Sequence, residues 1–128
     1  MKKTLMEDVK VVVIDDQDIL RELITDTMEM FLNRNVVSFN NAYHAWQHIL
    51  DNHVDMIISD VDMPDMNGLQ LLGKVKELFP GIICVMMSGR KDNLWSAAEL
   101  GAEHFILKPF RVRDFVRIVE KYIVGEEK

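Results

Sequence analysis

The feature of this 128-residue chain that most constrains its fold is a regular alternation of short and long apolar segments. The short segments are rich in β-branched residues, and there are five of them: Val9–Ile14, Val36–Phe39, Met56–Ser59, Ile82–Met87 and His104–Leu107. The longer segments between and after them carry apolar residues at helical spacing, clearly over Leu20 to Phe31, Leu69 to Leu78 and Phe115 to Tyr122, and more weakly over Ala42–Leu50 and Asn93–Leu100. Because parallel strands need crossover connections, this alternation predicts an α/β fold, a single doubly wound five-stranded parallel sheet with five helices.

The length of the chain fits one domain. The alternating pattern runs through residues 8–124 without a linker, a repeat or a low-complexity stretch. Residues 8–124 are therefore expected to form the domain, with residues 1–7 and 125–128 as short flexible tails. This division leaves no room for an output module.

Composition excludes several classes of function. Lys plus Arg is 15 against 21 for Asp plus Glu, a net charge of -6, so direct binding to nucleic acid or to an anionic membrane is not expected. No stretch approaches the roughly 20 apolar residues that cross a bilayer, and charged residues interrupt the N-terminal segment that could resemble a signal peptide. A cytoplasmic protein is expected. The single cysteine, Cys84, lies in an apolar run and is expected to be a buried, inert thiol.

Polar residues stand at the carboxyl ends of four of the predicted strands. They are Asp15 and Asp16, then Asp60, then Ser88, then Lys108 with Pro109. In an open parallel sheet, ligands bind beyond the carboxyl ends of the strands, so these side chains are expected to converge. Three clustered carboxylates repel one another unless a cation offsets them, and a hard divalent ion such as Mg²⁺ binds oxygen ligands of this kind.

Each of these residues also has an ordinary structural interpretation when taken singly. Asp15 or Asp16 could cap the helix that begins near Gln17, Ser88 could be a turn residue, and Lys108 could be solvated. The functional interpretation depends on finding all of them at the ends of strands of one sheet.

Four segments together resemble the response-regulator receiver family: Val13–Gln17, Ile57–Gly68, Met87–Gly89 and Gly101–Phe110. The stretch D-x-x-M-P-x-M-x-G and the Lys-Pro pair are its most specific parts, and the likeness runs over nearly the whole chain, from Val9 to Val124. The resemblance implies a flavodoxin-like fold with strand order 2-1-3-4-5. It also implies a Mg²⁺ (or Mn²⁺) site and a phospho-acceptor, Asp60.

The remaining site roles are likewise implied by the resemblance. Asp16 and Asp60 would bind the metal directly, Asp15 mainly through water, and Asp62 through its backbone carbonyl. Ser88 would hydrogen-bond the phosphoryl oxygens, and Lys108 would pair with one of them. The Lys108–Pro109 peptide bond would be cis.

The resemblance further implies a conformational switch and a set of partners. Phe105 matches the aromatic switch position, where many members carry Tyr, so its ring brings no hydroxyl. Before phosphorylation the loop of Ser88 can lie outward, and afterwards it is drawn inward, which changes the surface of the fourth helix, fifth strand and fifth helix. The phosphoryl donor would be a histidine kinase, a histidine phosphotransfer protein or a small phosphodonor. The downstream protein target is unknown, and the chain would be a monomer or a weak phosphorylation-dependent dimer.

Asp62 and Arg90 stand two residues beyond the predicted acceptor and the switch serine. We hypothesise that they form an ion pair that partly covers the phosphoryl group and alters its lifetime. The alternative is two solvated loop charges.

Three other interpretations compete with that of a simple receiver. The chain could be a phosphorelay intermediate that passes its phosphoryl group to a histidine phosphotransfer protein, or a receiver cut from a larger regulator. A haloacid-dehalogenase-type phosphatase is less well supported. Its D-x-D motif is superficially matched by Asp60-Val61-Asp62, but that family places the motif near the first strand and its acidic pair last, whereas here Asp15-Asp16 comes first. The chain is therefore expected to catalyse only its own phosphorylation and dephosphorylation.

Overall fold

The computed structural model describes residues 4–5, 9–32 and 36–125 of the chain. Five strands and five helices alternate along it: β1 (Val11–Ile14), α1 (Asp18–Leu32), β2 (Val36–Phe39), α2 (Ala42–Asp51), β3 (Met56–Asp60), α3 (Gly68–Leu78), β4 (Ile83–Ser88), α4 (Asn93–Glu99), β5 (His104–Leu107) and α5 (Val112–Ile123). All neighbouring strands of this sheet are parallel, in the order β2-β1-β3-β4-β5. The predicted doubly wound, flavodoxin-like sheet with order 2-1-3-4-5 is confirmed.

The core is divided between the two faces of the sheet, because successive side chains of a strand point to opposite faces. On one face, side chains such as Val12 and Ile57 pack under α2, α3 and α4. On the other, side chains such as Val13 and Ile58 pack under α1 and α5, where Phe115 is one of the largest fully buried side chains. Since β1, β3 and β4 are covered on both faces, their sequences are nearly continuous apolar runs.

The carboxyl ends of two strands matter for the site. β3 extends to Asp60, which pairs with Met87, and β4 extends to Ser88, which pairs with Leu107. Asp60 and Ser88, the predicted acceptor and switch residue, are therefore the last residues of their strands, as expected from the sequence. Their backbones are held by the sheet, which limits where their side chains lie.

A short ladder joins the two ends of the described chain. Thr4–Leu5 pairs antiparallel with Val124–Gly125. Thr4, Leu5 and Gly125, which the sequence expectation assigned to the tails, take part in this ladder. Residues 1–3, 6–8 and 126–128 lie outside the described residues.

The longest helix among the described residues is α1, with 15 residues. Within the ranges that the structure describes, no helix combines the length and the apolar character needed to cross a membrane.

Candidate functional site

Asp60 is the centre of the carboxyl edge of the sheet. It ends β3 and is only 3% exposed, and its Oδ1 lies 2.9 Å from Nζ of Lys108. The pKa of Asp60 is raised to about 6, mainly because burial leaves its charge poorly solvated. The charges of Asp15 and Asp62 contribute to this rise, whereas the hydrogen bond and the charge of Lys108 oppose it without cancelling it.

Asp15 and Asp16 join β1 to α1 and bring two more carboxylates to the same place. Asp15 is fully buried, its Oδ1 accepts the backbone N–H of Gln17 at 2.9 Å, and its carbonyl accepts a guanidinium N–H of Arg21 at 2.9 Å. Asp16 is exposed. One carboxylate oxygen from each of Asp15, Asp16 and Asp60 lies within 4.8 Å of the others. The sequence expectation that these three side chains converge is confirmed.

Lys108 reaches this cluster from β5. Its ammonium bridges Oδ1 of Asp60 at 2.9 Å and Oδ2 of Asp15 at 3.3 Å, while its backbone N–H donates to the carbonyl of Ser88 at 2.8 Å. Burial by itself would lower the pKa of Lys108, but the hydrogen bond to Asp60 and the charges of Asp15 and Asp60 outweigh it, so the pKa is raised. Lys108 therefore stays protonated. The peptide bond from Lys108 to Pro109 is cis, as the resemblance implies.

The cluster fits a divalent cation. Among the described residues, these three carboxylates form the only group of acidic, His or Cys side chains close enough together to hold a metal, and one ammonium faces them. Oxygen donors of this kind suit Mg²⁺ or Mn²⁺. The adjacent cleft has a volume of about 280 Å³ and is lined by Asp16, Gln17, Asp60, Asp62, Gly89 and Lys108. The cleft is large enough for a small anionic group.

Ser88 lies at the end of β4 and is fully buried. Its hydroxyl donates to Oδ2 of Asp62 at 2.7 Å and accepts from Nδ2 of Asn93 at 2.9 Å and from the backbone N–H of Arg90 at 3.0 Å. Strand pairing and these three hydrogen bonds hold the side chain of Ser88 inside, whereas the loop residues that follow it, Gly89 and Arg90, are exposed.

The hypothesised ion pair between Asp62 and Arg90 is not formed. The guanidinium of Arg90 is 67% exposed and lies 3.4 Å from the carboxylate of Asp92, its neighbour in the same loop. The two oxygens of Asp62 accept hydrogen bonds from Ser88 and, at 3.3 Å, from Asn93. The carboxylate of Asp62 is thus already paired with neutral donors, and Arg90 has a closer partner.

Phe105, the predicted aromatic switch residue, is in the middle of β5. Its ring is partly buried and packs against the core on the α2–α3–α4 face of the sheet. It also lines a shallow pocket of about 300 Å³ with Leu94, Ala98 and Ala102. The space next to the ring lies between α4 and β5.

Sequence reasoning missed three residues that shape the site: Gly68, Asn93 and Arg21. A Cβ at Gly68 would overlap the carbonyl oxygen of Asp60 and would lie 2.8 Å from Cα of Val61. The loop after Asp60 therefore folds back onto β3 only because this position is glycine. The final Gly of the D-x-x-M-P-x-M-x-G stretch was its visible signal, whereas nothing in the sequence singled out Asn93 or Arg21.

A 2-1-3-4-5 parallel sheet with an acidic cluster and a lysine at its carboxyl edge is the arrangement that the resemblance to receiver domains predicts. The sequence matches the response regulator receiver domain family over residues 11–120. The chain therefore belongs to the response-regulator receiver family of two-component systems.

Two curated relatives and one solved structure illustrate the likeness. The chain is 33% identical over 118 residues to the DNA-binding transcriptional regulator NtrC of Azospirillum brasilense, covering 91% of this chain but 24% of that protein. It is 34% identical over 107 residues to a chemotaxis protein CheY homolog of Campylobacter jejuni, covering 79% of this chain and 82% of that protein. The signal receiver domain of an HD domain-containing protein from Pseudomonas fluorescens superposes with a TM-score of 0.82 at 18% identity, covering 92% and 88% of the two chains. The chain thus spans about a quarter of the NtrC relative and most of the CheY homolog.

Proposed function

We propose that this chain is a phospho-accepting receiver domain in which Asp60 takes a phosphoryl group from a histidine kinase or a small phosphodonor in a Mg²⁺-dependent reaction. One observation carries the proposal. The carboxylate of Asp60 is buried, and its Oδ1 lies 2.9 Å from Nζ of Lys108. One oxygen of this carboxylate also lies within 4.8 Å of an oxygen of Asp15 and an oxygen of Asp16.

The reaction joins a carboxylate oxygen of Asp60 to the phosphorus of the donor. The bond from phosphorus to the donor nitrogen of a phosphohistidine, or to the donor oxygen of an acyl phosphate, breaks, and the leaving group keeps the electron pair. Phosphoryl transfer depends mainly on positioning and charge stabilisation. Here β3 fixes Asp60, and the ammonium of Lys108 can offset charge on the phosphoryl oxygens because it stays protonated.

A divalent cation would be held by the carboxylates of Asp15, Asp16 and Asp60 and by the backbone carbonyl of Asp62. When bound, it supplies positive charge that offsets the phosphoryl oxygens. The exposed carboxylate of Asp16 can bind the ion without losing a protein partner, whereas the buried carboxylate of Asp15 is already occupied by Gln17 and Lys108. This difference favours direct binding by Asp16 and binding through water by Asp15.

The proposed output is a change in the surface formed by α4, β5 and α5. Ser88 would hydrogen-bond a phosphoryl oxygen, and the ring of Phe105 would turn into the space that this movement opens. Reversing a two-state population from 1:99 to 99:1 requires about 5.5 kcal/mol. A few charge-assisted hydrogen bonds of about 1.5–3 kcal/mol each supply that amount.

The partners and the setting stay predictions. They comprise a histidine kinase or histidine phosphotransfer protein as donor, an unknown downstream protein target, and a monomer or weak phosphorylation-dependent dimer. We expect no direct contact with nucleic acid or membrane, a cytoplasmic location, and no turnover beyond the protein's own phosphorylation and dephosphorylation. If the phosphorylated chain passed its phosphoryl group to a histidine phosphotransfer protein, the chain would be a phosphorelay intermediate.

The proposal is tested by incubating the protein with acetyl phosphate and Mg²⁺ and measuring its intact mass. We expect one added phosphoryl group on the wild type and none on Asp60→Asn or after EDTA. Asp51→Asn, which neutralises an exposed carboxylate at the end of α2, is the matched control and should be phosphorylated like the wild type. No adduct on the wild type, or an equal adduct on Asp60→Asn, would disprove the proposal.

A further inference from the structure

The hydroxyl of Ser88 belongs to a closed hydrogen-bond network with two side chains from other segments. Asp62 comes from the loop after β3, and Asn93 is the first residue of α4. The distances are 2.7 Å from Ser88 Oγ to Asp62 Oδ2, 2.9 Å from Asn93 Nδ2 to Ser88 Oγ and 3.3 Å from Asn93 Nδ2 to Asp62 Oδ1. Each of the three side chains therefore contacts the other two.

The hydroxyl of Ser88 already makes all the hydrogen bonds that a serine hydroxyl can make. A serine hydroxyl has one proton and two lone pairs. The proton of Ser88 is donated to Asp62, and the lone pairs accept from Asn93 and from the backbone N–H of Arg90. Both amide protons of Asn93 are directed to the same two partners. Ser88 consequently cannot donate to a phosphoryl oxygen while it donates to Asp62.

We propose that Asp62 and Asn93 are positioning residues that form a latch on the switch hydroxyl, and that release of this latch transmits phosphorylation to α4. The inference rests on the proposed function and deepens it. A phosphoryl group on Asp60 competes with the carboxylate of Asp62 for the one proton of Ser88. When Ser88 turns away, Asn93 loses a hydrogen-bond partner, and the first turn of α4 is released with it.

The latch is attached to the first residue of α4, so its release would act on this helix directly. Asn93 begins α4, and the preceding residue, Asp92, makes no side-chain capping hydrogen bond to the helix. The contact between Asn93 and Ser88 is therefore a direct side-chain link from the helix start to the end of β4. Trp95, two residues further on, is 74% exposed and serves as a local reporter.

The test is a double-mutant cycle on Asp62 and Ser88, using beryllofluoride with Mg²⁺ as a stable analogue of the phosphoryl group and fluorine NMR to measure its affinity. The four proteins are the wild type, Asp62→Ala, Ser88→Ala and the double variant. Since a hydrogen bond to a charged acceptor is lost, we expect Asp62→Ala to raise the affinity about tenfold when Ser88 is present. In the Ser88→Ala background we expect a clearly smaller gain.

The outcomes separate the latch from simple charge repulsion and from the proposed function. An equal gain in affinity in both backgrounds would overturn the latch, because the removal of a negative charge acts whether or not the hydroxyl is present. No gain in affinity with Ser88 present would also overturn it, because the carboxylate of Asp62 would then not be competing for the proton. No beryllofluoride binding by the wild type would overturn the proposed function and the latch with it. If Asp62→Ala does not fold, Asp62→Asn replaces it, since an amide has one acceptor oxygen for two donors and loosens the same contacts.

The link to α4 is tested with Asn93→Asp in a Trp46→Phe background, where Trp95 is the only tryptophan. Aspartate keeps the shape and suits the start of a helix, but it replaces two donors by acceptors facing Asp62. We expect beryllofluoride still to bind while the change in Trp95 emission falls to less than about half. Asn52→Asp, at the far end of α2, should keep the full change. A full change in Asn93→Asp would show that Asn93 does not carry the signal.

Discussion

Replacing Asp60 by Asn should stabilise the metal-free protein while abolishing its proposed function. The carboxylate is 3% exposed and lies beside two other carboxylates, with Lys108 as its cationic partner. Asparagine has nearly the same shape, and its carbonyl oxygen can still accept from Lys108. The substitution therefore removes the buried charge with little change in packing.

The magnitude follows from the pKa of Asp60, which rises from 3.8 to about 6 on folding. One pKa unit corresponds to about 1.36 kcal/mol, so ionisation of Asp60 costs the folded state about 3 kcal/mol at neutral pH. Because the folded pKa is raised, the charge of Asp60 costs the folded state almost nothing below about pH 4. This cost grows as the pH rises from about 4 to about 6 and is constant above that range. The advantage of the Asn variant should be about 3 kcal/mol at pH 7, about half of that at pH 5, and absent below about pH 4.

The assay is urea unfolding in EDTA, followed by circular dichroism at several pH values, with Asp51→Asn as the control for an exposed carboxylate. At pH 7 the advantage corresponds to a rise in Tm of roughly 10 °C for a domain of this size. Mg²⁺ should narrow the gap, because it binds the folded wild type in preference to the variant. Equal stability of the two proteins at pH 7, or a gap that persists at pH 4, would refute the electrostatic reasoning.

Three further predictions concern Gly68, Cys84 and Lys76. Gly68→Ala should lower the free energy of unfolding by about 1–3 kcal/mol and slow phosphorylation, since the new methyl group overlaps the backbone of Asp60. The control Gly73→Ala in α3, where a methyl group would have no contact closer than 3.9 Å, should raise the free energy of unfolding by about 0.5–1 kcal/mol. The thiol of Cys84 is fully buried, which raises its pKa to about 12, so iodoacetamide should label it only after unfolding, and rapid labelling of native protein would contradict this. Lys76→Met should lower the free energy of unfolding by about 2 kcal/mol in urea. The side chain of Lys76 is 14% exposed, and the substitution removes its ion pair with Glu103 at 2.8 Å and its hydrogen bonds to two backbone carbonyls, so an unchanged unfolding midpoint would argue against this role.

The sequence alone determined the architecture and the main site residues. Apolar periodicity separates strands from helices, and polar residues that interrupt a buried strand stand where the strand leaves the core. Asp15, Asp16, Asp60 and Lys108 could therefore be placed together before their distances were known. The strand order came from the resemblance, since periodicity does not specify which strands are neighbours.

Only the tertiary structure decided how the groups around the site are paired. Nothing local distinguishes Arg90 from Asn93 as the partner of Asp62, because the partners are separated by about thirty residues and meet only when β4 and α4 are docked. The paired ends of the described chain, Thr4–Leu5 and Val124–Gly125, were missed for the same reason. Periodicity records which side of an element is buried, whereas hydrogen-bond partners depend on distances of a few tenths of an ångström between segments distant in sequence.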